Sequence, residues 1–159
     1  MRKNIAFLGS TGSIGPQTLD VVREFPDQFQ ISVLTASNRA DELIKQALEF
    51  RPKIVVIIAQ SAYTKVKQAL AHTDTQVLAG EEALVEAVQL EEIDVVLNAI
   101  VGSAGLRPTV SAIQCGKNIA LANKETLVVS GELIMNLVKQ YNVKMLLGCN
   151  FFWITSSQI

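Results

Sequence analysis

Charge of one sign is missing from this sequence. Fourteen lysines and arginines stand against fifteen aspartates and glutamates, a formal net charge of −1. The charges are dispersed, with no polybasic or acidic tail, so the electrostatic footprint of a nucleic-acid-binding surface is lacking. Long apolar runs are lacking too. None approaches the roughly 18 residues that a membrane span requires. Strand-like sequence begins almost at the first residue, so no signal or transit peptide is expected. These absences predict a cytoplasmic protein with neither nucleic acid nor membrane as partner. Cysteine is scarce: Cys115 and Cys149 form no CxxC and no metal-ligand spacing, and are expected as free thiols of a reducing compartment. The one histidine, His72, lies in a polar stretch and is expected at the surface.

Glycine is also sparse, nine in 159 residues, yet three fall between positions 9 and 15. The apolar run Asn4-Ile5-Ala6-Phe7-Leu8 leads into Gly9-Ser10-Thr11-Gly12-Ser13-Ile14-Gly15, followed by Pro16-Gln17-Thr18-Leu19-Asp20-Val21-Val22. That reads as strand, tight turn and helix start. The spacing GxxGxxG is a variant of the dinucleotide fingerprint. Gly9 would permit the turn, Gly12 would admit a pyrophosphate where a Cβ would block it, and Gly15 would let the helix pack on the strand. Ser10, Thr11 and Ser13 add hydroxyl donors, and the helix N-terminus adds positive potential.

Behind this loop, strand-like and helix-like segments alternate. Strands are predicted at 30–36, 53–58, 76–79, 94–100, 118–122 and 143–147. Helices are predicted at about 40–50, 61–70, 81–89, 106–115 and 126–141. In the 40–50 helix Leu43, Ile44, Ala47 and Leu48 share one face, and Arg51-Pro52 ends it. Ser61 is read as an N-cap. Leu84, Val85, Val88, Met135, Met145 and Cys115 are read as packing residues, and Glu81, Glu82, Glu91 and Glu92 as solvated helix ends. An apolar content of 49% suits a sheet buried on both faces. The pattern predicts an α/β, Rossmann-like, doubly wound and mainly parallel sheet of about seven strands in a single domain.

NAD-binding folds carry an acidic residue at the end of strand two, about 20 residues beyond the loop, to hold the ribose 2′-OH. Here that place reads Ala36-Ser37-Asn38-Arg39, with no carboxylate before Asp41. Hydroxyl, amide and guanidinium groups suit the 2′-phosphate of NADP instead. Ser37-Asn38 also fits a helix cap. Farther on, Ala99-Ile100 would offer small and apolar walls beside a nicotinamide. Asn123-Lys124-Glu125 places an amide, a cation and a carboxylate where strand six ends, although Asn123 would equally cap the next helix.

Taken together, these segments resemble the N-terminal NADPH-binding region of the 1-deoxy-D-xylulose 5-phosphate reductoisomerase family. The matching blocks are Gly9–Gly15 with Thr18-Leu19-Asp20-Val21-Val22; then Ala99-Ile100-Val101-Gly102, Gly105-Leu106 and Pro108-Thr109; and Leu121–Glu125 with Leu127-Val128. The resemblance implies an NADP-dependent oxidoreductase and isomerase of the non-mevalonate isoprenoid pathway. The full-length enzyme would isomerise and reduce its small phosphate substrate to 2-C-methyl-D-erythritol 4-phosphate, with Mg²⁺ or Mn²⁺, as a homo-oligomer. It further implies that Thr11, Gly12, Ser13 and Ile14 cradle the pyrophosphate. Ser37, Asn38 and Arg39 would lie by the adenosine phosphate, Asn123 and Glu125 would touch the cofactor, and Lys124 would contact substrate. The family has Ala-Gly-x-Asn after strand two, from which Ala36-Ser37-Asn38-Arg39 departs.

The second departure is at the C-terminus. The family continues into Pro-Val-Asp-Ser-Glu-His, which supplies its metal ligands. Here the stretch is Leu147-Gly148-Cys149-Asn150-Phe151-Phe152, and no Asp, Glu or His follows Glu132. The expectation is a nucleotide-binding domain over 1–146, a divergent tail over 147–159, and no catalysis or metal binding by this chain alone. Two other readings stay open: a non-catalytic NADP-sensing or interaction module, and a reductase using the Tyr63–Lys67 pair.

Overall fold

A computed structural model of the chain describes residues 2–123 and 125–148. Its seven strands form one sheet: β1 Lys3–Leu8, β2 Phe29–Ala36, β3 Ile54–Ile57, β4 Gln76–Ala79, β5 Val95–Asn98, β6 Asn118–Leu121 and β7 Met145–Leu147. The spatial order is β4-β3-β2-β1-β5-β6-β7, and every neighbouring pair is parallel. Strands one to four therefore progress in one direction, and β5 starts again on the other side of β1. The reversal lies between β1 and β5, the place where doubly wound sheets open a crevice at their carboxyl ends. The expected fold class holds.

Side-chain alternation along the strands separates two cores. Phe7, Leu34, Val55 and Ile57 pack beneath Leu19 and Val22 of α1 (Gly15–Glu24), Leu43 and Ala47 of α2 (Ala40–Phe50), and Val66 of α3 (Tyr63–Ala69). Leu8, Val33, Val56 and Val96 pack on the opposite face. Their partners are Leu84 and Ala87 of α4 (Glu81–Ala87), Ala112 and Ile113 of α5 (Leu106–Gln114), and Ile134 of α6 (Glu125–Gln140). Right-handed crossovers impose this division, because each connection must return over the face its direction of travel selects. The β1–β2 register shifts between Ile5 and Ala6, paired with Ile31 and Val33. The extra residue, Ser32, is buried and its hydroxyl lies 3.4 Å from Asn4 Oδ1.

Several local expectations need correction. Ser61 does not cap a helix: it sits in a 3₁₀ turn, Gln60–Ala62, and α3 begins at Tyr63 without a side-chain cap. Leu48 is 43% exposed and the buried polar member of α2 is Gln46. Met135 is exposed rather than packed, and Val85 is only half-buried. Cys115 is exposed at the C-cap of α5, directly before Gly116 (φ +76°) and the return into β6. Arg51 leaves right-handed helical geometry as expected, entering the left-handed region (φ +48°). Cys149 and the tail 149–159 lie outside the described residues.

An ion-pair group joins α1 to α2. Arg23 donates to both carboxylate oxygens of Glu49 (Nη2 to Oε2, 2.7 Å) and to Asp20 (2.6 Å), with its guanidinium 5.2 Å from the Phe50 ring centre. These hydrogen bonds hold the Glu49 carboxyl below its ordinary value, against a smaller opposing effect of partial burial. A carboxyl lowered in the folded state contributes stability above its unfolded pKa and loses it as pH falls through the folded one. The groups are exposed, so Arg23→Met should cost at most about 1 kcal/mol at pH 7 in low salt. The difference from the parent should shrink as pH falls below about 4.5, and should also shrink with added salt; urea midpoints over that range measure it.

Candidate functional site

The glycine loop is built by close packing. Gly9 adopts φ +81°, and a Cβ there would lie 3.1 Å from the Ala99 backbone. A Cβ on Gly15 would lie 1.8 Å from the Ser10 carbonyl oxygen, which no side chain can meet without moving the backbone. The first turn of α1 is therefore pressed against the loop, and Pro16 is tolerated there because first-turn N–H groups have no helical acceptor. Gly12 is exposed at the loop's tip, where an added Cβ would meet only the Gly9 carbonyl, at 3.3 Å. Two turn bonds close the loop, Gly12 N to Gly9 O and Gly15 N to Gly12 O, each 3.1 Å. The N–H groups of Thr11, Ser13 and Ile14 donate to no acceptor among the described residues.

Ser10 departs from its expected part. It is fully buried, and its hydroxyl lies 2.6 Å from Gln46 Oε1, to which it donates. Gln46 Nε2 returns a bond to the Ser10 carbonyl at 3.0 Å, and Ser10 N and Gly9 N donate to Thr35 O and Oγ1. Gln46 thus ties the loop to α2, and Thr35 ties it to β2. The sequence reading missed both residues. A polar residue at an inward-facing position of a helix, as Gln46 is, was the available signal.

A cleft of about 380 Å³ opens beside this loop, across the reversal between β1 and β5. Of the predicted residues, Gly9, Thr11 and Gly12 line it from the loop, Ser37, Asn38 and Arg39 from the end of β2, and Ala99 and Ile100 from the end of β5. Arg39 Nη1 donates to the Thr11 carbonyl at 3.3 Å, which swings the guanidinium toward the loop. Ser13, Ile14 and Gly15 stand just behind, at the start of α1. On the far side, the buried Asn98 fixes the β5–α5 connection: Nδ2 donates to Gly105 O and Thr109 Oγ1, and Oδ1 accepts from Ile100 N. Asn123 Oδ1 accepts from Glu125 N at 3.0 Å, so Asn123 does cap α6, and its Nδ2 lies 3.4 Å from the Ile100 carbonyl. Glu125 is exposed on the first turn of α6. Lys124 lies outside the described residues. Tyr63 and Lys67 face each other on α3, Nζ 5.4 Å from the ring centre, and line a separate hollow.

Against known proteins, the family model for 1-deoxy-D-xylulose 5-phosphate reductoisomerase matches residues 5–131. The chain belongs to that family. The reductoisomerase of Phocaeicola vulgatus is 53% identical over 146 residues, which cover 92% of this chain and 38% of the relative. Among solved structures, the Zymomonas mobilis reductoisomerase in complex with NADPH superposes with a TM-score of 0.88 at 39% identity, covering 92% of this chain and 39% of that one. A reductoisomerase complex with NADPH, fosmidomycin and magnesium gives 0.86 at 39% identity. The chain thus spans under two fifths of the length of the relatives it matches.

Among the described residues no three His, Cys, Asp or Glu side chains gather where they could hold a metal ion, and no helix is long and apolar enough to cross a membrane. A hard divalent cation takes oxygen donors in number, and these residues do not offer such a set.

Two expected outcomes follow from the packing of the glycine loop. Gly15→Ala should lower the thermal midpoint sharply, with a loss of about 3 kcal/mol or more, because the relief must come from backbone. Gln46→Leu leaves the Ser10 carbonyl without its side-chain donor, while the Ser10 hydroxyl keeps the Thr35 carbonyl at 3.3 Å, and should cost about 1–3 kcal/mol. A cost near zero in chemical denaturation would show that the Ser10–Gln46 pair does not hold the loop.

Proposed function

We infer that this chain is the NADPH-binding region of a 1-deoxy-D-xylulose 5-phosphate reductoisomerase, with 1–146 as the nucleotide-binding domain and 147–159 diverging from the family. The observation that carries the reading is the cleft. The N–H groups of Thr11, Ser13 and Ile14 have no acceptor among the described residues and stand at or just behind it with a helix N-terminus, the loop tip is a glycine, and an arginine rather than a carboxylate follows β2. An anionic diphosphate satisfies such donors and gains from the helix dipole. A Cβ at position 12 would fill the approach.

The dinucleotide fits these residues. Thr11, Ser13 and Ile14 would donate main-chain hydrogens to the diphosphate over Gly12, and Ser37, Asn38 and Arg39 would bind the 2′-phosphate. Ala99 and Ile100 would wall the nicotinamide, with Asn123 and Glu125 beside it. Lys124, next to them in sequence, would contact the substrate phosphate compound in the full-length enzyme. Bound NADPH would supply the hydride by which the family's rearranged aldehyde is reduced. This chain's own part is to bind and orient it and to shield one side of it from water. The described residues bring together no set of carboxylates suited to the metal the family uses. The 159-residue chain is therefore expected to bind cofactor without turning over 1-deoxy-D-xylulose 5-phosphate.

Calorimetry on the purified chain tests this reading. NADPH should bind more tightly than NADH. Arg39→Ala should narrow that preference by about tenfold, the worth of one charge-assisted hydrogen bond. Gly12→Ala should weaken NADPH by a similar factor while leaving the thermal midpoint almost unchanged. Binding of neither cofactor, or tighter binding of NADH, overturns the assignment. Measurable turnover with Mn²⁺ overturns the expected inactivity.

A further inference from the structure

Three helices leave neighbouring strands at the sheet's carboxyl edge: α1 after β1, α5 after β5 and α6 after β6. Each has a threonine in its first turn. Thr18 Oγ1 donates to Ile14 O at 2.9 Å and Thr109 Oγ1 to Gly105 O at 2.7 Å, the bond back to the fourth residue before that a helical threonine can make. Thr126, the second residue of α6, makes no such bond. It is only 6% exposed, and among the described residues its hydroxyl is the buried side-chain polar atom left without a partner. A buried hydroxyl in that state costs free energy that the other two threonines avoid.

The turn that bears Thr126 is weakly held. α6 is broken at Ser130 (φ −141°, ψ +23°), so residues 125–129 are not continuous with the helix beyond. Within them Thr126 alone is buried. Leu127 is half-buried against the second core, and Val128 and Val129 are exposed. Past the break, the fully buried Ile134 fixes the rest of α6 to the sheet. A segment with so little apolar surface buried shifts at low cost. Asn123, which leads into it, reaches the Ile100 carbonyl only at 3.4 Å, the outer limit of a hydrogen bond.

We propose that Thr126 is a positioning residue for the nicotinamide end of the cofactor. The free protein holds its hydroxyl unpaired. When the dinucleotide binds, the 125–129 turn re-seats, which gives that hydroxyl an acceptor and brings Asn123 and Glu125 against the nicotinamide. The proposal rests on the dinucleotide reading above and adds a residue that reading does not use. A ligand shifts a conformation only by binding one state better than the other. The pairing gained by Thr126 therefore adds to the affinity of a ligand that engages Asn123 and Glu125, and adds nothing for one that stops short of them.

The test compares NADPH with 2′-phospho-ADP-ribose, which lacks the nicotinamide ring, by calorimetry on the full 159-residue chain. Both ligands have the diphosphate and the 2′-phosphate, so the contributions of the glycine loop and Arg39 cancel. Thr126→Val keeps the shape and removes the hydroxyl. It should raise the thermal midpoint of the free chain by about 2–4 °C, as for loss of one unpaired buried hydroxyl. It should weaken NADPH by about fivefold, the worth of one neutral hydrogen bond, and leave 2′-phospho-ADP-ribose unchanged. Thr126→Ser retains a hydroxyl and should keep the parent's preference for NADPH. A lowered midpoint in Thr126→Val, an equal loss for both ligands, unaltered NADPH binding, or a serine variant that behaves like the valine one overturns the positioning role while leaving the cofactor assignment standing. Failure of the parent to bind either ligand overturns both.

Discussion

The contact between the α-carbon of Gly15 and the carbonyl of Ser10 governs this molecule. It sets how closely α1 can approach the end of β1, and no residue with a side chain can occupy the position without displacing backbone. Because α1 begins there, its N-terminal N–H groups and those of the loop open toward the sheet's carboxyl edge. A loop held slightly wider would hold the same residues with its free N–H groups set farther from the helix start.

The loop is not self-supporting. Thr35 receives two of its N–H groups, and Gln46 exchanges two hydrogen bonds with Ser10 in a fully buried setting. A paired buried polar group costs little, whereas an orphaned one costs a great deal, so such a network specifies one loop geometry over its alternatives. Across the cleft, Asn98 performs the same service for the β5–α5 connection. Both walls are thus anchored by buried amides reaching out of rigid elements. The reversal of strand order keeps the space between them open, since the connections leaving β1 and β5 depart over opposite faces of the sheet.

Much of the fold was legible because it is written in short periods. The β-branched run Ile54–Ile57 reads as a doubly buried strand from composition alone, and α2 and β4 occur at their predicted limits. What failed were judgements about which face of a helix is covered. Leu48 and Met135 are apolar, yet they point away from the sheet. Gln46 is polar, yet it points in, because its partner is a main-chain carbonyl 36 residues earlier. Cys115 is exposed at the C-cap of α5. Of the residues that line the cleft, Gly9, Gly12 and Arg39 were singled out by spacing. Ser10, read as a hydroxyl donor to a ligand, is bonded to Gln46 inside the protein, whereas Glu81 is the solvated helix end expected of it, exposed on the first turn of α4 at the border of the cleft.

Sequence by itself determined the class of architecture and the chemistry of the elbow. Alternation of apolar strands and amphipathic helices leaves few ways to bury both sheet faces, and glycine spacing is a local steric statement. Only the tertiary structure decided which polar atoms are spent inside the protein and which remain for a ligand. Hydrogen bonding saturates, so whether Ser10 or Glu81 is available depends on partners that the fold brings from distant parts of the chain.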